Sequence, residues 1–313
     1  MRFMVTGGHG FIGAHLSMLL SRIGAEVLIV DDHSAPSVMH IDRTEYSGKS
    51  VTDIDPVDIA GADAVFHLAS AVGPVGVLSH AGRFAHDTIV MADHLATLCE
   101  IAKVPLVYVS TSEIYGQQVQ PMDEGAPRIT AAGHSARMEY AVGKLAAETM
   151  LLNRTNLDVR IVRPFNVAGP LQRGEKGFVI PRFVHQALSG DPLTVYVPGT
   201  QMRAFTDVGD IAKGIYLAYD RARPGSIYNL GNPDNKMTII DLAKMVIEEA
   251  QSPSKIEIVD PAEIWGPTFK DAPDKIPDIA KAKKELGWKP LRPLREIVAE
   301  MVMHARSSGR YPI

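Results

Sequence analysis

The segment Met4-Val5-Thr6-Gly7-Gly8-His9-Gly10-Phe11-Ile12-Gly13 constrains this chain most. A short apolar run leads into it, and an amphipathic stretch, Phe11–Leu20, leaves it. Gly7, Gly10 and Gly13 are three apart, and Gly8, Gly10 and Gly13 fit a looser version of the same pattern. Glycines at these points let the backbone turn tightly at the end of a strand and come close to a pyrophosphate, whose charge then sits at a helix N-terminus. A plain strand–helix turn would account for the glycines alone. It would not account for Asp31, an acid 18 residues beyond Gly13 at the end of the next apolar run. A carboxylate there takes both hydroxyls of an adenosine ribose. A 2′-phosphate would face it at roughly 4 Å, a cost of about 4 kcal/mol at a surface-like dielectric. No arginine follows immediately to offset that cost, so NAD is expected in preference to NADP. Asp32, next along, is either a second cofactor contact or a solvated turn residue.

Apolar runs recur at Phe3–Val5, Val27–Val30, Ala64–Leu68, Leu106–Val109 and Val159–Val162, with helical patterns near 11–23, 83–102 and 134–155 between them. Buried runs separated by helices predict a parallel sheet covered on both faces, the doubly wound α/β arrangement of a Rossmann fold. After Arg163-Pro164 the texture changes, and prolines and glycines crowd residues 164–200. Strands are expected at Leu193–Val197 and Ile227–Leu230, and helices near 178–189, 208–220, 239–250 and 293–304. The division expected is a dinucleotide-binding domain over 1–165 and a smaller α+β lobe over 166–313. Residues 204–232 are expected to return to the first domain. The lobe would lie over the carboxyl edge of the sheet, where doubly wound folds bind ligands.

Bulk properties narrow the partners. The 313 residues suit two closely packed lobes, and 46% hydrophobic with 22% charged residues is ordinary globular composition. A net charge of −4 gives no electrostatic reason to expect nucleic acid or an anionic membrane. Cys99 is the single cysteine, which excludes an intrachain disulfide and a cysteine-based zinc site, and no metal is expected. No apolar run reaches membrane-spanning length and no leader precedes Arg2, so the expected location is the cytoplasm.

Two further segments carry chemistry. Tyr140-Ala141-Val142-Gly143-Lys144 lies in a helical stretch, and a spacing of four puts Tyr140 and Lys144 on one face. An ammonium beside a phenol favours the phenolate, which makes a tyrosine of ordinary pKa ~10 a usable base near neutral pH. Such a pair alone is also what a helix surface looks like. Beside it, however, Ser110-Thr111-Ser112-Glu113 ends the fifth apolar run, and hydroxyls and a carboxylate are poor core residues. A capping turn is the plain reading of that run. The functional one is a hydroxyl, on Thr111, that orients a substrate oxygen toward Tyr140, with Glu113 facing the same substrate.

In order along the chain stand Thr6-Gly7-Gly8-x-Gly10-Phe11-Ile12-Gly13, Asp31, Asp53-Ile54, His67-Leu68-Ala69, Ser110-Thr111-Ser112-Glu113-x-Tyr115-Gly116, Tyr140-x-x-x-Lys144 and Arg163-Pro164-Phe165-Asn166. Val179-Ile180-Pro181-Arg182-Phe183, Arg203-x-Phe205-x-Asp207-Val208, Tyr228-Asn229-Leu230-Gly231, Pro277-Asp278-Ile279 and Leu286-Gly287-Trp288-x-Pro290 continue the series. Over nearly its whole length the chain resembles extended short-chain dehydrogenases of the NAD-dependent epimerase/dehydratase family of nucleotide-sugar enzymes. The resemblance implies that Asp53 and Ile54 flank the adenine and that Leu68, Ala69, Ser70, Thr88, Ser110 and Pro164 line the cofactor. It implies that Ser112, Asn166, Val179, Arg182, Val195, Tyr196, Arg203 and Lys275 face the nucleotide sugar, which is expected to be UDP-linked. Thr111, Tyr140, Lys144 and Glu113 are then the catalytic set. The shared first step is oxidation at the sugar C4, with Tyr140 taking the hydroxyl proton.

The 4-keto sugar has three fates. A 4,6-dehydratase of this family has an aspartate as acid where this chain has Ser112, and a positioned acid is worth ~10²–10⁴ in rate, so dehydration ranks third. Thr-Ser-Glu resembles uronate decarboxylases and some 4-epimerases. Decarboxylases carry an arginine where this chain has Lys275, and lysine lacks the bidentate fork. A 4-epimerase of a UDP-hexose or UDP-hexuronate is therefore the first expectation and a UDP-glucuronate decarboxylase the second. A fold that kept NAD and lost the chemistry is opposed by the joint presence of Thr111, Tyr140 and Lys144. A simple carbonyl reductase would leave Asn166 and Arg203 without a phosphate. Apolar residues on 83–102 (Ile89, Met91, Leu95, Leu98) and on 134–155 (Met138, Ala141, Leu145, Met150) exceed what packing on one sheet requires. The resemblance implies that these helices pair with their copies in a homodimer.

Overall fold

Consecutive residues of a strand point to opposite faces of a sheet, and apolar residues at every position therefore require cover on both sides. Strand β1 (Arg2–Thr6) shows this directly. Phe3 and Val5 enter one apolar core and Met4 the other. The computed structural model describes residues 1–34, 41–116, 121–128, 135–174, 177–265 and 274–308. From β1 the chain runs through α1 (Phe11–Arg22), β2 (Glu26–Val30), β3 (Thr44–Ser47), α2 (Pro56–Ile59), β4 (Ala64–His67), α3 (Gly73–Ser79), α4 (Phe84–Ala102) and β5 (Leu106–Val109) to α5 (Ala136–Leu152) and β6 (Val159–Pro164). Then come β7 (Val167–Ala168), α6 (Val179–Ser189), β8 (Leu193–Tyr196), β9 (Met202–Ala204), β10 (Thr206–Asp207), α7 (Val208–Arg221) and β11 (Ile227–Leu230). The rest is β12 (Lys236–Thr238), α8 (Ile239–Ala250), β13 (Ile256–Val259), α9 (Pro261–Trp265) and α10 (Leu294–Ser308).

Seven strands form one parallel sheet in the order β11-β6-β5-β4-β1-β2-β3. This is the Rossmann-type α/β fold that the strand–helix alternation implies. Helices α1 and α7 cover one face, where Phe3, Leu16, Phe66, Ile215 and Trp288 meet. Helices α4 and α5 cover the other, with Met4, Val65, Leu95, Tyr108 and Leu151. Burying one such side chain contributes about 1.5–3 kcal/mol. Leu95 and Leu98, expected on an outer apolar surface, lie in this second core; Val90, Ile101, Val142 and Leu152 are the apolar residues that α4 and α5 expose. A third core packs α6, α8 and α10 around β8 in the lobe. Register aligns Thr6 with Val30 and His67, and Val109 with Val162, so the carboxyl ends form one edge.

Strand β3 was not foreseen. Thr44-Glu45-Tyr46-Ser47 is a half-exposed edge strand with no apolar run to announce it. Strand β8 falls where Leu193–Val197 predicts it, whereas its partner β13 and the small pairs β10–β7 and β12–β9 are too short for a periodic signal. No helix of the described residues is long and apolar enough to cross a membrane, and among those residues no cluster of metal-ligating side chains occurs.

Candidate active site

The turn between β1 and α1 is built by glycine. Gly7 sits at φ +71°, and a Cβ there would lie 2.6 Å from the Ala69 nitrogen, so β1 and the β4 loop meet only because none is present. At Gly13 a Cβ would stand 2.1 Å from the Gly7 carbonyl oxygen. The cradle therefore has a bare backbone surface at the N-terminus of α1, which suits a pyrophosphate. Asp31, 8% exposed, closes β2, and its two oxygens accept the N–H of His9 (2.9 Å) and of His33 (3.0 Å). Each oxygen keeps a second lone pair for a ribose hydroxyl. Asp32 is exposed and caps its own loop through the Ser34 N–H, the turn role that its position allowed. Asp53 is exposed, whereas Ile54 is core and offers its carbonyl to His94. Gly10, Phe11, Ile12, Leu68, Ala69 and Ser70 are partly buried around the cradle, and Thr88 and Pro164 are buried. Ser110 Oγ is buried with no hydrogen-bond partner in the structure, an orphaned group at the edge where a nicotinamide would lie. The residues present fit NAD.

Next to this cradle stands the reacting end. Thr111 is the N-cap of the turn Ser112–Tyr115, where its hydroxyl accepts the Glu113 N–H (3.2 Å), and it also hydrogen-bonds the Tyr140 phenol. The capping role that the plain reading gives this run thus falls on Thr111. Burial pushes the Tyr140 phenol up to about 12, with the Thr111 hydrogen bond opposing the rise; Glu113 adds to it and Arg137 works against it. The phenol ring packs on Phe84, 4.9 Å between centroids. Lys144 is one turn along α5 and buried; its ammonium donates to the Val109 carbonyl (3.1 Å) and lies over the Tyr108 ring. Burial lowers it to about 8, while Glu148 pulls the other way. Glu148 itself is locked to Arg163 by two hydrogen bonds, 3.0 and 2.5 Å, and Arg163 continues to Tyr115 (2.8 Å) and so to Asn229. Burying charge at this depth requires such pairing.

Glu113 is the centre of a charged cluster that spacing alone did not reveal. Arg137 grips its carboxylate in a bidentate fork, 2.7 and 2.9 Å, and the Lys275 ammonium contacts the same carboxylate. Burial opposes the charge on Glu113, but Arg137 and Lys275 hold it well below the usual carboxylate range. Lys275 is 1% exposed; burial lowers it to about 8, and Arg137 and Arg203 add to the fall against the pull of Glu113. Arg203 lies in a bridge with Lys275 and is 5% exposed. Arg137 went unread in the sequence, although it stands three residues before Tyr140 and so on the same helix face.

Farther out, Asn166 is partly buried and its amide reaches the Ala204 carbonyl at 3.5 Å. Arg182 stacks on the Tyr196 ring at 4.2 Å and donates to its hydroxyl and to the Thr194 carbonyl. Val179 opens α6, while Val195 is fully buried in the core of the lobe. Ser112 is buried beside Thr111.

The description of the NAD dependent epimerase/dehydratase family matches residues 3–231. The chain is 33% identical over 314 residues to UDP-glucuronic acid decarboxylase 4 of Arabidopsis thaliana, covering 98% of this chain and 69% of that one. It is 32% identical over 300 residues to UDP-N-acetyl-alpha-D-glucosaminuronate decarboxylase of Bacillus cytotoxicus, covering 92% of each. The solved structure of MoeE5 in complex with UDP-glucuronic acid and NAD superposes with a TM-score of 0.84 at 27% identity, covering 98% of this chain and 100% of the other. Fold, glycine cradle and sequence relationship agree: the chain belongs to the NAD-dependent epimerase/dehydratase family and is an enzyme whose cofactor is NAD.

Proposed function

We propose that this enzyme oxidises C4 of a UDP-linked hexuronate and releases C6 as CO₂. The observation that carries the reading is the cluster at Glu113. Arg137 and Lys275 hold one carboxylate beside Thr111, whose hydroxyl bonds the Tyr140 phenol, and Arg203 lies next to Lys275. Two guanidinium groups and an ammonium gathered beside the Thr111 hydroxyl suit a substrate with a diphosphate and a further carboxylate. Two relatives, each about one-third identical over most of this chain, are named as decarboxylases of UDP-linked uronates, which supports the same reading.

NAD, which the Gly7–Gly13 cradle and Asp31 would hold, would supply the hydride chemistry at C4. Tyr140 receives the C4 hydroxyl proton, and Thr111 holds that oxygen in line with the phenol. Lys144, held one turn along α5 by the Val109 carbonyl, supplies a positive charge that favours the phenolate. With C4 a ketone, C6 becomes the carboxyl of a β-keto acid. The C5–C6 electron pair passes to C5 and onto O4, and the enolate oxygen rests against the same Thr111 and Tyr140 groups. A proton then returns to C5. Lys275 and Arg137 position the departing carboxylate.

A second reading, 4-epimerisation without loss of carbon, is favoured by lysine at 275, since lysine lacks the guanidinium fork. Incubation with UDP-glucuronate, UDP-N-acetylglucosaminuronate and UDP-glucose, read by mass spectrometry and NMR, decides between them. A product lighter by one CO₂ from a uronate is expected. A new isomer of unchanged mass makes the second reading correct, and turnover of UDP-glucose alone overturns the uronate assignment.

A further inference from the structure

Asp31 is flanked by two histidines. The N–H groups that its oxygens accept belong to His9, in the glycine turn, and His33, in the loop after β2. Both imidazoles fold back over that edge and meet, Nδ1 to Nδ1, at 3.3 Å, with ring centroids 5.0 Å apart. Tyr46 of β3 closes the other side of His9 at 5.2 Å, and the His33 ring lies over Gly48. His9 is 5% exposed, and its Nε2 has no hydrogen-bond partner in the structure; His33 is exposed.

A hydrogen bond between two Nδ1 atoms needs one of them protonated and the other bare. The neutral pair meets that condition. One further proton is accommodated on an Nε2 with the bridge intact, whereas a second would break it. The pair is therefore a one-proton site against the carboxylate that faces the adenosine ribose. Burial works against the extra proton on His9, Asp31 favours it and His33 opposes it. Asp32, the other acid on this loop, stays ionised: its partial burial is outweighed by hydrogen bonds from Ser34.

We infer that the His9–His33 pair makes recognition of the cofactor's 2′ position depend on protonation. With the pair neutral, Asp31 repels a 2′-phosphate and the enzyme takes NAD. With one proton on the pair, the Asp31 charge is offset, the repulsion of a 2′-phosphate is weakened, and NADP is bound as well. The inference rests on Asp31 as the ribose ligand.

Calorimetric titration of the full chain, freed of nucleotide, with NAD and with NADP between pH 8 and pH 5.5 tests it. The 2′-phosphate takes up its own proton near pH 6, which relieves repulsion in any protein, so the comparison with a variant decides. In the wild type the ratio of NADP to NAD dissociation constants should fall at least tenfold over this range. In His33→Asn the fall should be at least threefold smaller. The residue is exposed and asparagine tolerates its left-handed φ of 58°, so folding is retained. His9→Gln should behave likewise. Equal falls in the wild type and His33→Asn overturn the inference. Asp31→Asn should weaken NAD at every pH; unchanged NAD affinity in that variant shows instead that the ribose lies elsewhere, which also removes the basis for the pair's role.

Discussion

In the proposed mechanism Tyr140 is the base, because its phenol is the group that the Thr111 hydroxyl addresses. Tyr140→Phe removes one hydroxyl, so circular dichroism and NAD binding should be unchanged while turnover falls ~10²–10⁴-fold. Turnover near that of the wild type would show that the proton goes elsewhere. Lys275 gives a prediction with a sign. Burial lowers its ammonium to about 8, so above that pH it loses its charge and the cluster loses one cation. KM for a uronate should therefore rise as pH passes through 8. Lys275→Arg keeps the charge and should remove that rise, while a wild-type KM flat from pH 7 to 9.5 would rule the lysine out as a carboxylate contact. That Tyr140 and Lys144 share a helix and that Thr111 ends a strand was legible in the sequence, because spacing and strand-end position are local properties. It did not reveal that Glu113 is already engaged. Arg137 comes from another element and Lys275 from 162 positions away, and pairing over that distance has no periodic signature.

Among the elements, α5 is the one on which site and scaffold meet. Its face toward the sheet holds Lys144 and Glu148, and its face toward α4 holds Gly143. A Cβ at Gly143 would stand 2.7 Å from the Ala85 Cα, so the two helices touch backbone to backbone at this point. Gly143→Ala gains about 1 kcal/mol of helix propensity and forces the helices apart at a cost of about 1–3 kcal/mol. A lower urea midpoint is expected, and a raised midpoint would mean that α4 yields freely. The long helices and buried strands were legible from their periods and apolar runs. Strand β3 was not, since Thr44–Ser47 is a half-exposed strand on the sheet's edge that pairs with β2 on one side. Leu95 and Leu98 were misplaced for a related reason. A helix wedged between a sheet and a second helix has two apolar sides, and periodicity does not say which of them is covered.

For the whole molecule, Val90, Ile101, Val142 and Leu152 remain exposed on neighbouring helices α4 and α5. We propose that a second copy covers them across a two-fold axis. Light scattering should give a mass twice the 34.0 kDa of one chain, and Val90→Glu should shift it toward a single chain; a wild-type mass of 34.0 kDa would refute the dimer. The order of the sheet has a separate consequence for how the chain is made. Strand β6 pairs on its outer side with β11, and β11 follows only after residues 165–226, much of which belongs to the other lobe. Trp288 then seals the core beneath α7 from later still. A polypeptide emerging from the ribosome therefore holds an open row of backbone donors and acceptors along β6 while the next lobe is still being synthesised, and stalling within that stretch exposes an edge on which two nascent chains can pair.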